Sequence, residues 1–505
     1  MNKLLNALKE ENNYTYTENG AITHSSTLNA LYDMFALGGA YRSRSEADCI
    51  LLFKNALEEN ETYALKCLFY LRDVRGGQGE RRFWRVCMKW LAKNHSDIAR
   101  RTLLYVAEFG RYDDYYVFVD TPLEDEMFGI LRGQYILDLE CKTPSLLAKW
   151  LKSENTSSAE SQYLGMRTRK AFGLSPRQYR KSLSLLRERI RVVERLMSAN
   201  RWDEIEFDKI PSKAGLIYRN AFARRDIIKA KYEAFITSAD TKVNAGTLYP
   251  YDVVSKAIHY VDTYERKWDL CNGSNEVERA AINKYWDNLK DYFNGATLDA
   301  LCVVDTSGSM RGYDAAAPIN VAISLGLYAA ERARGPFAGH YISFSSKPQL
   351  IKTEGIDFVD KVKRIYETNL CEDTNIEATF DMLLNTAIRN HCSQDDLPKT
   401  IVIISDMEFN SATGHYYYSS YDNDKYKETL MEGIRNKWIA AGYKMPKLVF
   451  WNVQARNNNI PMRDEAGITF VSGASAVTFE MVLSGKTAQD LMFDKLNSKR
   501  YECIK

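Results

Sequence analysis

Apolar and polar positions follow two different patterns along this chain of 505 residues. Up to about residue 293, apolar residues recur three and four positions apart, with breaks at short polar or Gly/Pro stretches. This spacing predicts helices almost throughout the first half of the chain. Helices separated by such breaks are typical of paired helices stacked as a solenoid, although no strict sequence repeat accompanies them.

From about residue 297 the pattern changes to short β-branched runs that alternate with helical stretches. Strands are predicted at 301–304, 340–344, 400–404, 448–451 and 468–471, and helices at 316–333, 358–368, 376–390 and 426–441. Strands buried on both faces and separated by helices indicate a doubly wound parallel sheet. We therefore expect a multidomain chain, with an all-α helical-repeat domain over 1–295 and an α/β domain over 296–505.

Oxygen-bearing side chains lie at the predicted carboxyl edge of this sheet, where doubly wound folds bind their ligands. Asp305, Ser307 and Ser309 follow the first predicted strand on a short, glycine-containing loop. Thr374 precedes a predicted helix, and Asp406 follows a later strand. Hard divalent cations prefer oxygen ligands, so these residues predict a site for Mg²⁺ or for another divalent cation such as Mn²⁺ or Ca²⁺.

Several assignments around this loop stay open. The run 305–309 by itself is also typical of a polar turn that is bonded to its own backbone. Asp373 competes with Thr374 as a ligand, and Glu408 is expected to be a solvated carboxylate. The tyrosine-rich run 416–421 is either a recognition surface or a loop packed on its own domain.

A strongly basic segment stands out in the first half. Residues 175–199 are predicted to form one amphipathic helix, with Ser175 as N-cap and Pro176 at the first helical position. One face is apolar: Tyr179, Leu183, Leu186, Ile190, Val193 and Met197. The opposite side is basic: Arg177, Arg180, Lys181, Arg187, Arg191 and Arg195. Over 161–195, ten Arg or Lys stand against two Glu, which favours binding to a phosphate backbone over a merely solvated face.

The order Asp-x-Ser-x-Ser, Thr374 and Asp406 resembles the metal-ion-dependent adhesion site of von Willebrand factor A domains, over roughly residues 297–485. The resemblance implies that Ser307, Ser309 and Thr374 bind the metal directly. It also implies that the two aspartates hold the metal through water, and that an open position accepts an acidic group from a protein partner. The Glu-Asp pair before Thr374 departs from the family pattern, in which glycine is common.

Two stretches resemble the TROVE modules of the Ro ribonucleoprotein family: the run 72–80 (Arg-Asp-Val-Arg-Gly-Gly-Gln-Gly-Glu) and the basic segment with its continuation to residue 226. In that family, and in related proteins of unassigned function from phages and cells, HEAT-like helical repeats precede a von Willebrand A domain. The resemblance implies an RNA-binding scaffold for small structured or misfolded RNA. Its implied RNA contacts are Arg169, Lys170, Arg177, Arg180, Lys181, Arg187, Arg191, Lys213 and Arg224.

The amino-acid composition bears on nucleic-acid binding, on the state of the cysteines and on membrane insertion. The chain carries 68 Lys or Arg against 66 Asp or Glu, so affinity for nucleic acid must come from local segregation of charge. Nine scattered cysteines without a Cys-x-x-Cys pair predict reduced thiols and a cytoplasmic protein, in the host cytoplasm if a phage encodes it. The absence of an apolar run of about 20 residues predicts that the chain does not span a membrane.

An RNA-binding scaffold without catalysis is therefore the leading hypothesis, with the metal site as a docking point for a partner. The alternative is a metal-dependent protein-interaction adaptor, or a structural or virion component, without RNA binding. An enzyme is not expected, because no separate general base accompanies the metal-site residues. The run 72–80 has a rival interpretation, in which Arg72 and Arg75 flank a glycine-rich turn that locks two helices together.

Overall fold

The computed structural model describes residues 3–262, 267–270, 276–293, 295, 297, 299–312, 316–344, 347–368, 374–411, 429–482, 486 and 488–505. A helical region comes first, and a six-stranded sheet with its helices follows from residue 300. Asp373 and the run 416–421 lie outside the described residues. Within the described residues, no helix is both long enough and apolar enough to cross a membrane.

Sixteen α-helices are described before residue 296. They are α1 (Lys3–Glu11), α2 (Ala30–Leu37), α3 (Glu46–Glu59), α4 (Glu61–Arg72), α5 (Arg81–Asn94), α6 (Ser96–Thr102), α7 (Val106–Phe109), α8 (Glu124–Glu140), α9 (Leu147–Trp150), α10 (Ala159–Ala171), α11 (Pro176–Arg189), α12 (Val193–Ser198), α13 (Ser212–Arg224), α14 (Asp226–Thr237), α15 (Pro250–Ala257) and α16 (Glu276–Asp287).

Two antiparallel hairpins interrupt this helical region. The first joins β1 (Tyr14–Tyr16) to β2 (Ile22–His24), and the second joins β3 (Ile258–Asp262) to β4 (Lys267–Leu270). The sequence pattern misses both hairpins, because strands of three to five residues are too short to show a clear alternation.

The α/β part is built on β5 (Ala300–Asp305), β6 (His340–Phe344), β7 (Gln349–Lys352), β8 (Thr400–Ser405), β9 (Lys447–Asn452) and β10 (Ile468–Ser472). The order across the sheet is β10-β9-β8-β5-β6-β7, and only β6 and β7 pair in antiparallel fashion. Five of these strands confirm the predictions, but β7 does not follow from the pattern, because its side chains are mostly exposed. The sheet is therefore mixed and not purely parallel.

The helices of this part are α17 (Pro318–Arg332), α18 (Phe358–Thr368), α19 (Ile376–Arg389), α20 (Leu430–Ala440), α21 (Thr478–Val482) and α22 (Ala488–Leu496). Every residue of α17 over 318–330 is buried. At Gly326 an added Cβ would lie 2.5 Å from Val304 Cγ2, so the glycine lets this helix rest directly on β5. This packing fixes the strand whose end carries Asp305.

The helical region holds the α/β part from two sides. On one side α2 covers the edge strand β10, where the backbone N–H of Phe470 donates to the Tyr32 hydroxyl over 3.0 Å. On the other side α16 packs on α18, with the rings of Trp286 and Phe358 stacked 4.1 Å apart. Arg279 of α16 also forms a bidentate ion pair with Asp357. Covering β10 removes an exposed sheet edge.

The run 72–80 is the junction of these parts. Arg72 is buried against Asp114, and Asp73 accepts hydrogen bonds from Arg500 and from the Tyr501 hydroxyl near the end of the chain. Gln78 Nε2 donates to the Tyr70 hydroxyl and to Thr478 Oγ1. These contacts support the interpretation of this run as a structural lock.

Candidate functional site

The metal-site candidates lie where two neighbouring parallel strands end. β5 and β8 are paired in a register that sets Val304 opposite Ile404, so Asp305 and Ser405 end the two strands side by side. The sheet extends from β5 toward β6 and from β8 toward β9, in opposite directions. Such a switch in strand order opens a crevice at the carboxyl edge, and the residues that follow both strands share it.

Asp305 is fully buried, and both of its carboxylate oxygens accept hydrogen bonds. The backbone N–H of Ser307 donates to Oδ1 over 2.9 Å, and Ser405 Oγ donates to Oδ2 over 2.5 Å. The hydroxyl oxygens of Ser307 and Ser309 lie 3.0 Å apart. The structure therefore gathers the first three predicted ligands on one short loop.

Asp406 lies one residue beyond β8 and is also buried. Its Oδ1 accepts from the backbone N–H of Glu408 over 3.3 Å, and its Oδ2 accepts from Arg456 Nη2 over 2.9 Å. Arg456 Nη1 in turn pairs with Glu18 Oε2 at 2.7 Å. A chain of ion pairs thus fixes the orientation of the Asp406 carboxylate.

Thr374 is buried beside the loop that follows Asp406. Its carbonyl oxygen accepts a hydrogen bond from the backbone N–H of Asn410 over 3.1 Å. The next residue, Asn375, caps α19 by accepting from the backbone N–H of Ala378 over 2.9 Å. The cap holds Thr374 just ahead of the helix, as the sequence predicts.

The chemistry of these donors fits a hard divalent cation. Burial, together with the negative charge of Asp406, raises the pKa of Asp305 to about 7, and a cation would relieve the repulsion between the two carboxylates. Adjacent ligands of an octahedral Mg²⁺ ion are roughly 3 Å apart. The two serine hydroxyls have this separation, at 3.0 Å. In the described parts of the chain, no group of three or more His, Cys, Asp or Glu side chains is placed to hold a metal, so a site here depends on hydroxyl ligands.

The N-terminal hairpin packs against the segment that follows Asp406, a contact that the sequence does not predict. The turn between β1 and β2 lies on the segment after Asp406: the backbone N–H of Glu18 donates to Glu408 Oε2 over 2.7 Å, and Thr17 Oγ1 donates to the carbonyl of Phe409 over 2.6 Å. Further hydrogen bonds join Asn19 Nδ2 to the Glu408 carbonyl and the Ser411 N–H to the Asn19 carbonyl.

The expectation that Glu408 is a solvated carboxylate is wrong. Its side chain is fully buried and also accepts from Asn457 Nδ2 over 3.0 Å, and burial raises its pKa. The one local signal was its position between the apolar residues Met407 and Phe409. Nothing near Asp406 in the sequence points to Glu18 or Arg456, because only the tertiary fold brings these segments together.

The basic segment is not one continuous helix. α11 ends at Arg189, Arg191 has a left-handed backbone with φ of 48°, and α12 begins at Val193. The Ser175 cap and the apolar contacts of the first three turns are as predicted, with Tyr179, Leu183 and Leu186 buried. The break turns the second half of the segment away from the predicted single helical face.

Four of the predicted RNA contacts are engaged within the protein. Arg187 is half-buried and donates to the carbonyls of Ala148 and Leu151 and to Ser153 Oγ. It therefore anchors the α9 segment and does not lie on an exposed basic face as predicted. The other three form ion pairs: Arg169 with Glu154, Arg191 with Glu206, and Lys213 with Asp252.

The remaining five are exposed and form no ion pair with any residue that the structure describes. They are Lys170, Arg177, Arg180, Lys181 and Arg224, which lie on α10, α11 and α13. Exposed cations that no carboxylate balances attract anions and favour contact with phosphate groups.

The structure contains a second basic cluster, around Arg81, Arg85 and Arg111, that the sequence does not predict. Arg85 and Arg111 share the carboxylate of Asp113, at 2.9 and 2.7 Å from Oδ2. Arg81 lies one helical turn before Arg85, is exposed, and has no ion pair among the described residues. Partial desolvation of its guanidinium by the surrounding side chains, together with the positive charges of Arg111 and Arg85, lowers the pKa of Arg81. The Arg111 guanidinium stacks 4.0 Å from the ring centre of Trp150.

Residues 17–108 and 141–294 match a domain of unknown function, DUF2828, and residues 299–502 match another, DUF7788. An uncharacterized protein, L728 of Acanthamoeba polyphaga mimivirus, is 30% identical over 519 aligned positions, which cover 94% of this chain and 85% of L728.

Among solved structures, the Ro (RSR) protein of Deinococcus radiodurans aligns with 94% of this chain and 100% of its own, at 13% identity and a TM-score of 0.38. A likeness at this level carries no argument about fold or function.

Proposed function

The chain belongs to the family of the mimivirus protein L728, and for this member we propose an RNA-binding scaffold with a divalent-metal site that docks a protein partner. For the domain architecture, we propose TROVE-like HEAT repeats followed by a von Willebrand A-like domain. The proposal rests on the residues of this chain, since the mimivirus relative is an uncharacterized protein.

One observation carries the RNA-binding part: on α10, α11 and α13, five exposed cations form no ion pair with any residue that the structure describes. A phosphate backbone that contacts them releases counterions, so affinity should fall steeply as salt increases. The ligands proposed are small structured or misfolded RNAs. Arg81 and Arg111, beside Trp150, offer a further patch where basic and aromatic side chains meet.

The test is RNA co-purification with the full chain, sequencing of the bound RNA, and titration of that RNA at several salt concentrations. Arg180→Ala with Lys181→Ala should weaken binding and lower the salt slope. The matched control is Arg389→Ala with Lys444→Ala, which removes the same two side-chain types from exposed positions of the α/β part. Equal affinity of the two double variants, or binding that is insensitive to salt, would refute the proposal.

A second function, metal-dependent docking of a protein, is favoured by the paired hydroxyls of Ser307 and Ser309 beside buried Asp305. In this proposal Ser307, Ser309 and Thr374 hold Mg²⁺, or Mn²⁺ or Ca²⁺, directly. The cation supplies a positive centre for a partner's carboxylate. The double variant Asp305→Ala with Ser307→Ala should abolish a pull-down of the partner that depends on Mg²⁺. A partner that is retained equally well in chelator would contradict this function.

The proposal is of a binding protein and not of an enzyme. Each carboxylate oxygen of Asp305, Asp406 and Glu408 already accepts a hydrogen bond from the protein. Carboxylates held in this way orient a cation or a neighbouring group, and they are poorly placed to take a proton from water.

A further inference from the structure

The N-terminal turn is joined to the metal crevice by two kinds of contact. Backbone and side-chain hydrogen bonds tie residues 17–20 to 408–411, and the Gly20–Asn410 bridge extends them in antiparallel fashion. The ion pairs from Glu18 to Arg456 and from Arg456 to Asp406 add a direct electrostatic path. The segment that follows Asp406 is therefore shared between the turn and the proposed metal site.

The charges along this path have opposite effects on a cation. Arg456 stabilises the buried Asp406 carboxylate, but its positive charge opposes a divalent ion that Asp406 helps to hold. Glu18 neutralises this charge by pairing with the other terminal nitrogen of the guanidinium, Nη1, at 2.7 Å. An uncompensated Arg456 would lower the affinity for the ion, so Glu18 should support metal binding without touching the metal.

The turn also positions the site mechanically. Asn410 donates its backbone N–H to the carbonyl of Thr374 over 3.1 Å, and the adjacent Ser411 donates to the turn at Asn19 over 3.1 Å. Undocking the turn would release the segment that lies against Thr374. Ordering this segment costs conformational entropy, and a ligand that needs it ordered must supply that free energy.

We propose that residues 17–20 form a built-in part of the metal centre, in which Glu18 and Arg456 are positioning residues that couple docking of the turn to cation binding. The inference rests on the proposed metal site. Coupling between two binding events is reciprocal, so the metal should strengthen docking of the turn by the same factor by which the docked turn strengthens metal binding.

The experiment measures Mg²⁺ binding to the full chain by calorimetry, together with hydrogen exchange over residues 12–24 and 408–411 with and without Mg²⁺. Glu18→Gln should raise the dissociation constant for Mg²⁺ about three- to tenfold, within the range of coupling between sites. The control is Glu10→Gln. Glu10 lies on the same N-terminal segment with the same exposed fraction, 43%, and pairs with Arg463 instead of Arg456.

Thermal unfolding in chelator distinguishes an effect of Glu18 on metal binding from an effect on stability alone. Without metal, the two Gln variants should have the same unfolding midpoint. In the wild-type chain, Mg²⁺ should slow exchange of the Glu18 and Ser411 amides, and Glu18→Gln should reduce this protection. Equal Mg²⁺ affinity of both variants would overturn the inference and leave the metal site standing. Tighter Mg²⁺ binding in Glu18→Gln would also overturn it, because the docked turn would then oppose cation binding. Absence of Mg²⁺ binding to the wild type would overturn both the inference and the proposed metal site.

Discussion

The hydroxyl of Tyr249 donates a hydrogen bond to the carbonyl oxygen of Gln78 over 3.2 Å, and it joins the start of α15 to the turn between α4 and α5. This hydrogen bond links an early and a late element of the helical region, through residues that are 171 positions apart in the sequence. At the same place Arg42 pairs with Glu80 and lies over the ring of Tyr251.

This junction predicts a strong effect at Gly79. Its φ is +68°, and an added Cβ would lie 1.7 Å from the Tyr249 hydroxyl oxygen. Gly79→Ala should lower the free energy of unfolding by about 2–4 kcal/mol, from backbone strain plus overpacking. The control is Gly173→Ala, where φ is +69° and no atom lies within 4 Å. Chemical denaturation measures both, and equal losses would show that the Tyr249 contact contributes nothing.

The proposed metal site predicts that Mg²⁺ stabilises the folded protein. A ligand that binds only the folded state at 100 times its dissociation constant adds about 2.7 kcal/mol. Wild-type protein should therefore melt at a higher temperature in Mg²⁺ than in chelator, and Ser307→Ala with Ser309→Ala should lose the difference. Ser324→Ala, which removes a buried hydroxyl bonded to the Val321 carbonyl within α17, should keep it.

Arg187 and Arg180, both on α11, should respond differently to truncation. Arg187→Ala removes hydrogen bonds to two carbonyls and one hydroxyl of the α9 segment, and it should destabilise the protein by about 2–3 kcal/mol. Arg180 is exposed without an ion pair to any described residue, so Arg180→Ala should change stability by less than about 0.5 kcal/mol. Urea unfolding of both variants checks this difference, and similar losses would contradict the assignment of Arg187 as an anchor.

Variants of Arg81 and Arg82 test whether the second basic cluster binds RNA specifically or only through the general positive charge of the protein. Arg81 lies beside Arg85 and Arg111, whereas exposed Arg82 points toward Cys49, to whose sulfur it donates over 3.8 Å. Arg81→Ala should weaken RNA binding by about threefold or more and lower the salt slope by about 0.7 for a single strand. Arg82→Ala should leave both unchanged. A filter-binding titration measures both variants, and equal RNA affinities would exclude this cluster from the proposed RNA-binding surface.

His24 predicts a dependence of stability on pH. It is buried, neither ring nitrogen has a hydrogen-bond partner among the described residues, and burial lowers its pKa below 6.5. The unfolded state therefore takes up the proton first, so the free energy of unfolding should fall as the pH decreases through about 6.5. His24→Leu should reduce the loss between pH 7 and pH 5 in urea titrations. An unchanged loss in this variant would exclude His24 as its source.

The sequence by itself predicts the parts of this protein that local pattern controls. Buried β-branched runs gave five of the six strands of the sheet, because strands covered on both faces are apolar along their length. Asp305, Ser307, Ser309 and Asp406 follow two of those strands directly, so parallel pairing alone sets them at one edge. The Ser175 cap was equally local.

Tertiary structure decided what depends on contacts between distant segments. Arg187 belongs to the basic side of α11 by periodicity, yet the α9 segment packs beside it and takes its hydrogen bonds. Glu408 is charged and was expected in water, yet Glu18 and Asn457 bury it and satisfy both oxygens. Periodicity reports which face of an element is apolar, but it carries no information on which distant segment will cover the polar groups. The contact of residues 17–20 with the segment after Asp406 therefore depends on the tertiary structure.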